Sequence, residues 1–251
     1  MTTAVVVAHP DDEALWLSSV LGSAERVVFC FGDLFSRPRD SAARRRAVAA
    51  LPLRGLIDLN LPESGGGLAV DWARPRLTRP GIAITDIAAG ERYEAAFNAL
   101  VGSLKTALAG CAEVFTHNPW GEYGHSEHIQ VHRAVAALQP ELGYRIWFSN
   151  YVGSASWALA KDIGSRPCCT ERRAAVPDVK LARELRDIYR RNGAWTWTRW
   201  HRWPAEESFY AMPPGEPGIG WNTLAGEWFL DVAGLRWWPP PWRRARCFLW
   251  P

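Results

Sequence analysis

The chain has 251 residues, 48% hydrophobic and 22% charged, with a formal net charge of +3. That length suffices for a real core, as one large α/β domain or two small ones, and so mild a charge gives no argument for nucleic acid or an acidic membrane as partner. No basic leader opens the sequence, no apolar run is long enough to span a bilayer, and the five cysteines (Cys30, Cys111, Cys168, Cys169, Cys247) show neither zinc-finger nor redox spacing, so the expectation is a soluble cytoplasmic protein with reduced thiols.

Strand and helix signals alternate through the first 150 residues. The apolar run Ala4–Ala8 reads as a buried central strand. A helix is predicted over Asp12–Leu21, a second strand over Arg26–Phe31, an Ala- and Arg-rich helix over Ser41–Leu51 and a third strand over Gly55–Leu61. From Pro62 to Gly90 the pattern fails, with Gly65-Gly66-Gly67, Pro75, Pro80 and Gly81 marking a long irregular stretch, a candidate substrate lid. A helix over Glu91–Leu108, a strand over Glu113–Thr116, a helix over Ser126–Leu138 and a strand over Tyr144–Ser149 follow. Such alternation predicts an α/β domain with a mostly parallel sheet and right-handed crossovers. Beyond residue 150 only the amphipathic helix Val179–Arg191 stands out. The whole chain therefore reads as one domain, residues 1–150 forming the core and residues 151–251 an elaboration packed on it.

Two clusters carry the chemistry. Ala8-His9-Pro10-Asp11-Asp12-Glu13 follows the first strand, where open α/β sheets build their sites. Proline and acids at a helix start also serve as caps for exposed amides and the dipole, but capping gives no reason for His9. The second cluster is Tyr123-Gly124-His125-Ser126-Glu127-His128, and His125, His128 and His132 share one helical face. Four of the six histidines lie in or just after these clusters, with His117 close by and His201 remote. Neutral imidazoles with one carboxylate and an open position describe a catalytic zinc site rather than a closed, thiolate-rich structural one. Such a cation lowers the pKa of bound water to about 7 and polarises a carbonyl. A spare carboxylate can take the water's proton, while a nearby His or Tyr donates to the oxyanion.

On these paired motifs the chain resembles the LmbE-like (PIG-L) N-deacetylases, over most of residues 1–150 and weakly around Lys180–Tyr189 and Glu207-Ser208-Phe209-Tyr210. The resemblance implies a Rossmann-like three-layer α/β/α fold and removal of an acyl group from an N-acetylated sugar or glycoconjugate. It implies Zn2+ or another divalent metal bound by His9, Asp12 and His128, with Asp11 as general base. It also implies that His125, helped by Tyr123, stabilises the tetrahedral intermediate and passes a proton to the amine. Glu13 is expected as a helix cap or support, and His132 as support without a catalytic role. The family's substrate-approaching arginine has no assigned counterpart: Ser41–Leu51 offers Arg44, Arg45 and Arg46 but lacks the accompanying glutamate. A metal phosphoesterase and a non-catalytic sugar- or nucleotide-binding protein stand as alternatives. Oligomeric state is left open.

Ten of the fifteen tryptophans lie between Trp195 and Trp250. Packing is the ordinary explanation for each. A sugar-stacking platform is the functional one, with Arg236, Arg243, Arg244 and Arg246 placed among Trp237, Trp238 and Trp242. Trp120, one residue from the Gly-Glu-Tyr-Gly turn, is the best single candidate for lining the pocket.

Overall fold

The computed structural model describes residues 2–66, 69–164, 171–198, 201–212, 229–231 and 237–238. In chain order the elements are β1 (Thr2–Val7), α1 (Asp12–Trp16), α2 (Ser18–Leu21), β2 (Arg26–Asp33), α3 (Pro38–Ala49) and β3 (Leu56–Pro62). Then come β4 (Leu77–Thr78), β5 (Gly81–Ile82), α4 (Ile87–Ala107), β6 (Cys111–Thr116), α5 (Ser126–Leu142), β7 (Arg145–Ser149) and β8 (Tyr151–Val152). The remainder is α6 (Trp157–Gly164), β9 (Glu171–Ala175), α7 (Val179–Asn192), β10 (Glu207–Met212), β11 (Phe229–Asp231) and β12 (Trp237–Trp238).

Seven strands form the main sheet in the order β3-β2-β1-β6-β7-β10-β9. Pairings from β3 through β7 are parallel, and β10 runs antiparallel to both β7 and β9. The period-two alternation of β1 explains the layers. Val5 and Val7 enter a core built with α1, α2, α3 and α7. Ala4 and Val6 enter the opposite core, built with α4 and α5. Both faces of β1 are dry, as its unbroken apolar run requires. The result is the expected mostly parallel α/β sheet between two helical layers.

Three departures from the sequence reading have local causes. The helix expected over Asp12–Leu21 breaks at Leu17 (φ −137°) into α1 and α2, and beyond the break the amide and hydroxyl of Ser19 reach Glu207 Oε2 at 3.4 and 2.5 Å. Helix α4 begins at Ile87, inside the stretch read as irregular, because Asp86 accepts the Ala89 amide as an N-cap. Strands β9 and β10 had no sequence reading, and β10 is buried on both faces, which erases the polar–apolar alternation of an ordinary antiparallel strand.

Among the described residues, no helix is long and apolar enough to cross a membrane. Cys30 and Cys111 are free and buried. Of the proposed aromatic platform, Trp237 and Trp238 form β12, while Arg236, Trp242, Arg243, Arg244 and Arg246 lie outside the described residues, as do Cys168, Cys169 and Cys247.

Candidate active site

Strands β1 and β6 are neighbours, and the connections leaving their carboxyl ends, through α1 and α2 to β2 and through α5 to β7, run to opposite sides of the sheet. The crevice at such a switch point is where open α/β sheets bind ligands. His9 stands two residues past the end of β1, His117 directly follows β6, and His125 caps the start of α5. Both sequence clusters therefore meet at one edge.

The predicted ligands converge. Asp12 Oδ2 lies 3.2 Å from His9 Nδ1 and 3.3 Å from His128 Nε2, and it accepts the His9 amide at 2.8 Å. Its other oxygen accepts the Trp16 indole N–H at 3.2 Å. Two ligands held at 2.0–2.1 Å on a tetrahedral centre stand about 3.3 Å apart, which is the spacing seen here. Among the described residues, no hydrogen-bond partner meets the buried His128 Nε2. A buried acceptor of this kind calls for an unseen partner, and a divalent cation fits it. Burial pushes the other way, yet the imidazoles of His128, His117 and His9 hold the Asp12 carboxyl well below its usual range.

Both imidazoles are oriented from behind. His9 Nε2 meets Glu127 Oε2 at 3.1 Å, and His128 Nδ1 meets Glu122 Oε2 at 2.7 Å. With a cation bound, each carboxylate would take the proton-bearing nitrogen and leave the other lone pair for the metal, the way metal-ligating histidines are supported. Glu127 is itself fixed by the amide and hydroxyl of Ser64 at 2.9 and 3.0 Å. Glu122 is clamped by Asn118, whose amide donates to Oε1 at 3.0 Å and whose side-chain oxygen accepts the Glu122 amide at 2.9 Å. Although burial opposes it, histidine partners hold both Glu122 and Glu127 down at about 2.

Among the described residues, three groups of side chains bring ligand atoms within 4.8 Å of one another: His9–His125–His128, Asp12–His117–His128 and His9–Glu63–Glu127. The first two overlap at His128; His9 falls in one and Asp12 in the other, and the predicted set is joined through the contacts of Asp12 Oδ2 with both imidazoles. His117 is set aside by its bonding, because its Nε2 accepts the Ala8 amide at 2.8 Å while Nδ1 meets Glu122 at 3.0 Å. In the third group Glu63 Oε1 is paired with Arg44 at 2.5 Å and Glu127 Oε1 accepts the Ser64 hydroxyl at 3.0 Å.

Around this centre stand the groups expected to act on substrate. Burial and the charge of Asp12 push Asp11 up to about 6, against hydrogen bonds from Thr196. Burial, joined by His128 and His9, pushes His125 well below its usual value, so its ring is neutral. Its Nδ1 accepts the Glu127 amide at 3.3 Å, which leaves the proton on Nε2. Of the site imidazoles it is the most open, with 26% side-chain exposure against 6% or less for His9, His117 and His128. The Tyr123 ring lies 5.7 Å from that of His125, and burial among carboxylates keeps its phenol protonated.

Local sequence explains the loop. Gly121 (φ +71°) leaves no room for a Cβ, which would stand 2.5 Å from the His125 carbonyl oxygen, and Gly124 (φ +96°) would meet Ala155 at 2.9 Å. Between them Glu122 adopts φ +47°, the turn that places its carboxylate under both His117 and His128.

Some expectations need correction or completion. Trp120 does not line a pocket: it is fully buried, packs edge-on to Phe148 and donates its indole N–H to the Tyr151 carbonyl at 2.6 Å. Trp16 and Trp197 instead pack around Tyr123, at 6.2 and 4.9 Å between ring centroids. His132 is held by the His117 carbonyl at 2.7 Å, in the supporting place expected. Glu13 accepts the Asp11 amide at 3.0 Å and the Tyr189 hydroxyl at 2.8 Å. Of the three arginines Arg44 is the buried one, and its glutamate partner Glu63 comes from beyond β3 rather than from its own helix. Sequence reasoning gave no role to Glu122, Glu127, Glu63 or Thr196. The first two lie inside the quoted motif and its Gly-Glu-Tyr-Gly lead-in; the others carry no local signal.

Fold and site define a class: a three-layer α/β protein with a buried His–Asp–His centre at its switch point. No protein-family model matches the chain, and no curated protein does. Among solved structures it is similar to a teicoplanin deacetylase in its zinc-inhibited form, with 11% identity, a TM-score of 0.57, and coverage of 86% of this chain and 99% of that one. A deacetylase–teicoplanin complex gives 11% identity and a TM-score of 0.55, covering 86% and 100%. The pseudoaglycone deacetylase of the antimicrobial reagent A40926 gives 12% and 0.50, covering 86% and 98%. At these identities the likeness is one of fold.

Proposed function

We propose that the chain is a metal-dependent hydrolase that removes an N-acetyl or other N-acyl group from an amino sugar or glycoconjugate. The observation that carries this reading is the convergence of His9 Nδ1 and His128 Nε2 on Asp12 Oδ2, each imidazole backed by a carboxylate. The teicoplanin and A40926 pseudoaglycone deacetylases that share the fold support it.

His9, Asp12 and His128 would hold the cation, with zinc the first candidate for two imidazoles and one carboxylate. Such a cation, when bound, acidifies water and polarises the amide carbonyl. Asp11, raised toward neutrality by its burial beside Asp12, takes the proton that the attacking water gives up. His125 donates its Nε2–H to the developing oxyanion, with the Tyr123 phenol beside it as a second donor. A neutral imidazole of such low basicity holds an oxyanion better than it delivers a proton. The proton held on Asp11 and the Nε2–H of His125 are the two donors at hand for the departing amine.

The test is acetate release from a panel of N-acetylglucosamine derivatives (free, nucleotide-linked, lipid-linked and on glycosylated natural products), with and without chelator. Asp11→Asn is expected to abolish release while bound metal stays at the wild-type level. Turnover that survives this substitution, or no acetate from any member of the panel, overturns the proposal. A stoichiometry of two bound metals about 3.5–4 Å apart would instead favour a phosphoesterase.

A further inference from the structure

Asp11 adopts φ 112° and ψ −25°, a conformation that a non-glycine residue holds at a cost of about 1–3 kcal/mol unless its surroundings enforce it. The surroundings that do so come from the far end of the chain. The Asp11 amide donates to Glu13 Oε2 at 3.0 Å, and Glu13 Oε1 accepts the hydroxyl of Tyr189 on α7 at 2.8 Å. At the other end of the residue, Asp11 Oδ2 accepts both the amide and the hydroxyl of Thr196, at 3.1 and 2.7 Å. Thr196 lies in the loop just past α7. Its neighbour Trp197 anchors that loop on Tyr123 and Trp16, at 4.9 and 5.3 Å between ring centroids. Among the described residues no hydrogen bond reaches Asp11 Oδ1.

We propose that Thr196 is the positioning residue of the general base, and that Oδ1 is the oxygen that takes the proton; this rests on the reading of Asp11 as that base. Two donors from one residue occupy both lone pairs of Oδ2 in a fixed fork. Oδ2 is thereby closed to protonation and the carboxylate plane cannot turn. As the O–H bond of water breaks and its proton forms a bond to Oδ1, Oδ2 becomes the carbonyl oxygen of the neutral acid. It still accepts both Thr196 hydrogen bonds, so the clamp needs no rearrangement during transfer or return. Preorganisation of this kind acts on the chemical step rather than on substrate binding.

The experiment compares Thr196→Val, which keeps shape and amide but removes the hydroxyl, with Thr196→Ser, which keeps the hydroxyl, and with Asp11→Asn. The substrates are N-acetylglucosamine and its aryl glycosides, read as kcat and KM, with bound metal and thermal midpoint measured on each variant. Thr196→Val is expected to lower kcat by about ten- to a hundred-fold, the scale of a misplaced reacting group, with KM and metal content unchanged. Thr196→Ser is expected to bring kcat back close to wild type. An unaltered kcat in Thr196→Val beside an inactive Asp11→Asn overturns the role of Thr196 alone. So does a loss of metal in Thr196→Val, or a failure of Thr196→Ser to restore kcat. An active Asp11→Asn, or a wild-type chain that releases no acetate, overturns the underlying assignment of the base.

Discussion

Glu122→Gln probes whether the candidate centre is a metal site or merely a buried polar knot. Glu122 Oε2 accepts from His117 Nδ1 at 3.0 Å and His128 Nδ1 at 2.7 Å, while Oε1 accepts the Asn118 amide at 3.0 Å. Glutamine keeps the shape but offers one oxygen and one NH2. With the oxygen toward the imidazoles, its NH2 faces the Asn118 N–H. In the reverse orientation it faces two ring N–H groups and drives the His128 proton onto Nε2, the nitrogen pointed at Asp12. Either way one buried donor goes unsatisfied, which costs about 1–3 kcal/mol of stability. If His128 is a ligand, losing its carboxylate support lowers metal affinity by about 10- to 100-fold, or about 1.4–2.8 kcal/mol. Zinc competition against a chromophoric chelator reads the affinity, and urea unfolding in excess chelator reads the stability of the metal-free chain. A variant that loses stability yet binds zinc as tightly as wild type would refute the reasoning, because the support would then be purely structural.

Three further outcomes follow from other parts of the molecule. Burial pushes Glu207 from 4.5 up to about 7, against hydrogen bonds from Ser19 and Tyr151. The folded chain therefore keeps that proton longer than the unfolded one, and stability present below about 4.5 is lost as pH rises through about 7, by about 3 kcal/mol. Glu207→Gln flattens this limb; an equal wild-type-to-variant difference in urea midpoint near pH 5 and near pH 8 would contradict it. Burial opposes it, but Asp12, Glu127 and Glu63 raise His9 to about 10 in the metal-free chain. Zinc titration in weak buffer near neutral pH should then release about one proton per site, and a silent titration would remove His9 from the ligand set. Gly124→Ala places a Cβ 2.9 Å from that of Ala155 at φ +96°, so thermal melting should show a loss of about 2 kcal/mol.

The sequence carried the parts of this site that lie next to strand ends. Ala4–Ala8 is buried because both faces of a parallel strand are covered, and that fixes where His9 and Asp12 emerge. His125 and His128 were legible from a motif at the start of a helix. Glu122 was not, because its role depends on a left-handed turn that only the folded loop reveals. Trp120 was misread through nearness in the chain: Gly121 reverses the backbone beside it, and its ring belongs to the core. Strand β10 hid because a run buried on both faces has no alternation to read. Thr196 stands 185 residues from Asp11, a distance no local pattern spans.

That long reach sets an order on folding. The residues of the candidate metal centre, from His9 to His128, belong to neighbouring parallel strands and the turns that leave them. The clamp on Asp11 and the bond from Ser19 to Glu207 each close loops of more than 180 residues. Contacts of such high sequence separation form after shorter-range ones, since their closure entropy must be met first. For the proposed hydrolase, refolding is expected to restore zinc affinity before turnover, with the clamp on Asp11 the last part of the site to close.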